Sequence, residues 1–180
     1  MGGTNTVLLV DNSTVSGTYL YVNCDAVSGA GNIAWNGNLQ IVFAGKEPCM
    51  TYSGSALYKY AGATTVRAIF KVPVGGYATT PLRHTNESEA FLKSGSGKWF
   101  SLEVAEDSPA VLQGSGLKNH VLVETSSGFN MNVINDLSAP KRAKLAWGAD
   151  GAPLEEGADL ADARQVLLTL PGSGLKILIR

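Results

Sequence analysis

The sequence predicts an all-β protein: an antiparallel β-sandwich or barrel-like domain with one long surface excursion and at most one short helix. Three observations predict it. Short runs of Val, Ile, Leu, Thr and aromatic residues recur along all 180 residues, and β-branched and aromatic residues are what half-buried strands are made of. Gly, Ser, Asn or Asp closes each run and supplies the backbone conformations of turns. Several runs alternate apolar and polar residues, the period of two that sends successive side chains to opposite faces of a sheet.

Taken in order, residues 4–73 read as strands with tight connections, among them Thr6–Val10, Thr18–Val22, Leu39–Phe43 and Thr65–Val72. Tyr19, Tyr21 and Asn23 alternate with Leu20, Val22 and Cys24, so one face turns inward and the tyrosines face solvent or a partner. Asn36-Gly37, between Ile33–Trp35 and Leu39–Phe43, is the sharpest turn signal and predicts a two-residue type I′ hairpin. Residues 74–97 form the long excursion, rich in Gly, Ser and Thr, with a charged polar loop from Arg83 to Glu89 and one short strand or helical turn at 90–93. Strands resume at 98–105, 110–113, 120–124, 130–134 and 143–147, and a final pair, 164–170 and 175–180, flanks Pro171-Gly172-Ser173-Gly174. The one helical candidate is Ala152–Ala163, with Pro153 in its first turn and Gly157 against it. The Gly/Ser linkers are short and no fixed-period repeat is evident, so 1–180 reads as a single β domain with 74–97 as a loop or insertion and 150–163 as an acidic loop or short helix.

Composition narrows the function classes. Charged residues make up only 16% of the chain, below the roughly 25% usual for soluble domains. Ser, Thr, Asn and Gly must carry the polar surface, which is weakly repulsive and suits packing against other subunits. With 14 basic and 15 acidic residues, net charge is −1, and no clustered basic patch points to nucleic acid or an anionic membrane. No stretch nears the roughly 20 apolar residues of a helical membrane span. Met1-Gly2-Gly3-Thr4 lacks the features of a secretory leader, so Cys24 and Cys49 are expected as buried free thiols of a protein made in the cytosol.

Candidate chemistry was weighed against plainer roles. Asp150, Glu155, Glu156, Asp159 and Asp162 concentrate carboxylates that a hard cation could use. Their spacing is not that of an EF-hand, and a solvated loop or a salt-bridge partner for the nearby Lys141, Arg142 and Lys144 is the plainer reading. His84 and His120, the only histidines, have no metal-ligand spacing. The serines occupy Gly/Ser turns without a nucleophile elbow, and the Gly-rich pieces lack the Lys-Ser/Thr of a phosphate loop. The chain is therefore expected to be neither an enzyme nor a cofactor binder. The tryptophans are expected mainly in the core, and the tyrosine-bearing strands at an interface or a glycan.

In low charge, Ser/Thr/Asn/Gly surface, strand content and Gly-rich excursion, the whole chain resembles the virion proteins of tailed bacteriophages. The resemblance implies a tail-tip, baseplate, fibre-associated or capsid-decoration subunit, made in the host cytoplasm and carried in the virion, whose partners are copies of itself and other assembly subunits. The interface residues expected are Tyr19, Tyr21, Arg83, His84, Lys141, Arg142 and Lys144. The alternative expectation is a β-sandwich module that binds a carbohydrate or a host receptor through exposed aromatic, Asn and Asp side chains.

Overall fold

The structure, a computed structural model, describes residues 8–11, 20–23, 26–29, 33–36, 39–43, 49–52, 56–58, 65–85, 87–88, 90–91, 99–132, 134–140 and 142–174; up to residue 66, at 99–100 and at 135 it describes backbone alone. Strands dominate, and among the described residues the only helical elements are a five-residue α-helix, α1 (Pro109–Gln113), and a single 3-10 turn, Leu160–Asp162.

The first nine strands visit three sheets in rotation. β1 (Leu8–Asp11), β4 (Ile33–Asn36) and β7 (Ala56–Tyr58) form the first sheet; β2 (Leu20–Asn23), β5 (Leu39–Phe43) and β8 (Thr65–Phe70) belong to the second; β3 (Ala26–Gly29), β6 (Cys49–Tyr52) and β9 (Leu82–His84) belong to the third. Every ladder among them is parallel. Such rotation is the winding of a parallel β-helix. Parallel neighbours need a long crossover, and the other two faces of each coil provide it.

β10 (Trp99–Val104) and β12 (Ile134–Ser138) continue the second sheet, and β11 (Ser115–Thr125) continues the third, again in parallel. Among the described residues an isolated parallel bridge also joins Phe91 and Phe129, secured by Phe91 N–H donating to Gly128 O at 2.9 Å and Asn130 N–H donating to Phe91 O at 3.0 Å. Beyond β12 the mode changes. β13 (Lys144–Ala149), β14 (Ala152–Pro153) and β15 (Gln165–Gly172) pair antiparallel, giving the local order β14-β13-β15-β11 at one end of the third sheet.

Several expectations are corrected here. Antiparallel pairing is confined to three of the twelve ladders, and no sheet closes into a barrel among the described residues. The hairpin expected at Asn36-Gly37 does not form, because β4 pairs with β1 and β7 whereas β5 pairs with β2 and β8. The two-residue hairpin lies at Asp150-Gly151 instead, where φ values of 51° and 76° provide the positive dihedrals of a type I′ turn between β13 and β14. The helix expected over 152–163 is replaced by β14, turns and one 3-10 turn, with Gly157 at φ 86° interrupting any helical run. The strand expected at 110–113 is α1, started by Pro109 and ended by Gly114 in the left-handed region at φ 64°. The polar loop expected around His84 contains β9, and the strand expected at 130–134 is displaced to β12 by the turn at 131–132. Residues 175–180, and with them the second half of the expected terminal pair, lie outside the described residues.

Register aligns like with like on the second sheet. Leu20, Leu39, Val66, Phe100 and Ile134 share one row, and Val22, Ile41, Ala68, Leu102 and Leu137 share the next. Ala68, Phe70, Leu102, Val104 and Ile134 are buried in one apolar cluster with Leu82, Leu122, Val123, Val166, Leu168 and Leu170 of the third sheet. The two sheets thus face each other across this core, and each buried Leu or Phe contributes roughly 1.5–3 kcal/mol.

Candidate functional site

The inward rows of the second sheet leave alternate residues on its other face. Register places Arg67, Ser101 and Asp136 in one row there and Ile69, Glu103 and Ser138 in the next. Across β8 and β10, Arg67 Nε donates to Glu103 Oε1 at 2.8 Å and Arg67 Nη2 to Glu103 Oε2 at 2.5 Å. The Ser101 hydroxyl donates to Oε1 at 2.6 Å. A two-pronged guanidinium–carboxylate pair is directional as well as charged. Burial alone would push the Glu103 carboxyl up, but the Arg67 and Ser101 hydrogen bonds and the Arg67 charge outweigh it and hold the group below 4.5. Glu103 is therefore an ionised anchor at neutral pH. The pair borders a cavity of about 380 Å³ lined also by Ile69, Glu106, Ser138 and Pro140.

A second concavity, of about 630 Å³, lies between the 129–132 turn and the 3-10 turn. Phe129, Met131 and Leu160 supply apolar surface and Asn130, Asn132 and Asp159 supply amides and a carboxylate. The groove is stiffened from beneath, where Phe129 meets Phe91 and Trp147 edge-on at centroid distances of 6.1 and 5.0 Å. At its rim, Asn130 Oδ1 accepts from Asn132 N–H at 3.3 Å and Asp159 Oδ1 accepts from Ala161 N–H at 2.9 Å.

A third surface is made of backbone. β1, β2 and β3, the first coil, are each the terminal strand of their sheet. Among the described residues their outer edges carry no strand partner. The opposite end of the third sheet finishes in β14, a two-residue strand containing Pro153, which blunts that edge because proline has no N–H to offer.

The residues singled out in the sequence are dispersed over these surfaces. Tyr21 lies on β2, in the row that continues through Arg67, whereas Tyr19 and Lys141 lie outside the described residues. Arg83 is exposed on β9 and donates through Nε to Glu124 Oε2 at 3.1 Å. His84 is buried, at 1% exposure, against Thr125 Oγ1 at 3.0 Å and the Phe91 ring, so it belongs to the interior and not to an interface, as alternation along β9 dictates. Arg142 and Lys144 are exposed, and no ion pair among the described residues joins them to the acidic segment. Asp150, Glu155, Glu156, Asp159 and Asp162 are all exposed along turns. No three His, Cys, Asp or Glu among the described residues gather as a metal site, and no helix among them is long and apolar enough to cross a membrane.

No protein-family model, curated protein or solved structure matches this chain. Neither composition nor motif singles out Arg67, Ser101 and Glu103 or the Asn130–Asn132 turn. A usable signal was present for the first three: Thr65–Phe70 and Trp99–Val104 each carry polar residues at alternate positions within an apolar run, the mark of a strand with one patterned outer face.

Proposed function

We propose that this chain is a structural subunit of a phage-type virion assembly, of the tail-tip, baseplate, fibre-associated or capsid-decoration kind, working through contacts with copies of itself and with neighbouring subunits. The observation that supports it is the first coil, which is the terminal rung of all three sheets at once, each parallel at that end. An unpaired strand edge is a template for another chain, and three edges on one coil would give such a contact both area and register. A low-charge surface opposes that contact little. The facing second and third sheets form the sandwich-like slab that would hold the coil rigid.

Sedimentation of the purified protein, alone and mixed with particles lacking it, tests this reading. We expect an oligomer or incorporation into the particle. Proline at Tyr21 or Val22 should abolish it in one of the two variants, because successive residues of a strand point their N–H groups to opposite edges. A monomer that joins no particle overturns the reading.

A second reading, a carbohydrate- or receptor-binding module, is supported by the Phe129–Leu160 groove, whose volume and mix of apolar and amide lining fit a small polar ligand. Saturable binding on a glycan array that Asn132→Ala removes would favour it, and silence across the array would dismiss it.

A further inference from the structure

The loop 73–81, between β8 and β9, meets β11 at the His120 imidazole, and its Tyr77 packs into the buried apolar core. Tyr77 N–H donates to His120 Nε2 at 2.9 Å. The Tyr77 ring, 6% exposed, lies over the histidine with centroids 5.9 Å apart and planes 29° from parallel. Gly75 and Gly76 turn the chain with φ values of 82° and 87°, and Gly76 N–H donates to Pro73 O at 3.0 Å. Contact is close: a Cβ on Gly76 would stand 2.8 to 3.0 Å from three atoms of the imidazole. Glycine is required there both for its φ and for this approach.

The direction of the hydrogen bond fixes the protonation state. Nε2 accepts, so in the closed loop the ring is neutral with its proton on Nδ1. A proton on Nε2 would set one N–H against another and turn the fastening into a repulsion. Among the described residues, the elements packed against the ring bring no carboxylate to it. Loop 73–81, α1 and β15, which pairs with β11 beside His120, contain no Asp, Glu, Lys or Arg, and the Tyr77 phenol is pushed well up by burial and stays neutral. On β11 itself the charged residues are Lys118, a further cation, and Glu124, which accepts from Arg83 of β9 and from Gln165. β9 also carries His84, buried against Thr125 at the far end of β11.

We propose that His120 is a proton-operated latch, holding the 73–81 loop on β11 when its ring is neutral and releasing it when the ring becomes imidazolium. Burial independently lowers the affinity of this ring for a proton below its ordinary 6.5. The sign follows: the open loop exposes a histidine that takes its proton near 6.5, whereas the closed loop resists it, so the closed state is favoured above that pH and loses ground as pH falls. Between pH 8 and pH 5 the open fraction should rise by as much as about 30-fold.

Hydrogen exchange at the Tyr77 amide, corrected for intrinsic rate, reads the latch directly, and the His120 Hε1 shift reads the ring. We expect protection of that amide to fall more than tenfold from pH 8 to pH 5 while amides of β15 hold, and the ring to titrate below 6.5. His120→Gln keeps an acceptor that does not titrate, and its Tyr77 protection should be flat over the same range. Constant wild-type protection, a ring titrating at or above 6.5, or an equal acid loss in His120→Gln would each overturn the latch. Should His120→Gln not fold, the wild-type ring titration decides.

Discussion

The parallel coils of β1–β9 and the antiparallel end formed by β11, β13, β14 and β15 are built from similar residues and held together differently. In the coils each strand finds its partner one full turn away, and the described ladders there run without a register shift. At the antiparallel end the β13–β14 partners are neighbours in the chain, while β11 slips register twice against β15, between Leu117 and His120 and between Val121 and Val123. Asn119, with φ at 50°, stands within the first slip, and Gly116, at 65°, just before it, as expected of a bulged strand. At the second slip Leu122 and Val123, adjacent residues, are both at 0% exposure. The regular ladders end in the unpaired edges of the first coil, whereas the antiparallel end finishes in β14, whose two residues and Pro153 leave little edge for a further strand.

The largest test of this contrast is Phe70→Ala. Phe70 is wholly buried on β8, and its carbonyl accepts from the Ala105 N–H and, at 3.1 Å, the Ser108 hydroxyl, so it ties the second sheet to the segment leading into α1 and β11. Loss of about 3–5 kcal/mol is expected, read from the urea midpoint, with exchange protection falling in β5 and β15 together. A loss confined to one of them would divide the molecule into two independent units.

Gly148→Val should hurt only the antiparallel end. A side chain there runs into Leu167 and comes within 2.5 Å of the Ala152 carbonyl oxygen, and such overpacking costs about 1–3 kcal/mol. Exchange should quicken in 144–172 and leave β5 and β8 unchanged. Gly151→Val is gentler: nothing lies near its Cβ, but φ is 76°, so the strain of the left-handed region alone, about 1–2 kcal/mol, should appear in the same segment.

The smallest effect belongs to the outer face of the coils. Glu103→Gln should destabilise by about 0.5–1 kcal/mol, since the pair with Arg67 is partly solvated. Because the folded carboxyl is held below 4.5, the wild-type advantage is present above that pH and is lost as pH falls through the folded value. Midpoints of wild type and variant should converge as pH falls well below 4.5, and a gap that persists in acid would mean that packing, not charge, sustains it.

Strand content was legible because it is local. Thr65–Phe70, Trp99–Val104, Lys144–Ala149 and Gln165–Leu170 announce themselves by alternation or by unbroken apolar runs. Pairing was not legible, and the two turn dipeptides show why. Asn36-Gly37 and Asp150-Gly151 carry the same short-range signal, yet only the second joins strands that pair with each other. A primed turn brings flanking strands together only when neither has a better partner elsewhere, and β4 and β5 have theirs one coil away. The repeat that would have revealed the coils is hidden by unequal loops: Leu20 faces Leu39, Leu39 faces Val66, and Phe100 faces Ile134.

The candidate surfaces divide along the same line. That Arg67, Ser101 and Glu103 point away from the core follows from their place in alternating strands, a matter of period alone. That Arg67 meets Glu103, that Tyr77 meets His120 across 43 positions, and that the first coil ends three sheets depend on register. The amino-acid order by itself determined that the chain is built mainly of strands and, in alternating runs such as Thr65–Phe70 and Trp99–Val104, which residues share a face, because those are properties of neighbours in the chain. Which strands lie side by side, and in which direction, only the folded molecule decided, because loop closure, shared burial and the filling of one core weigh residues that are far apart in the chain.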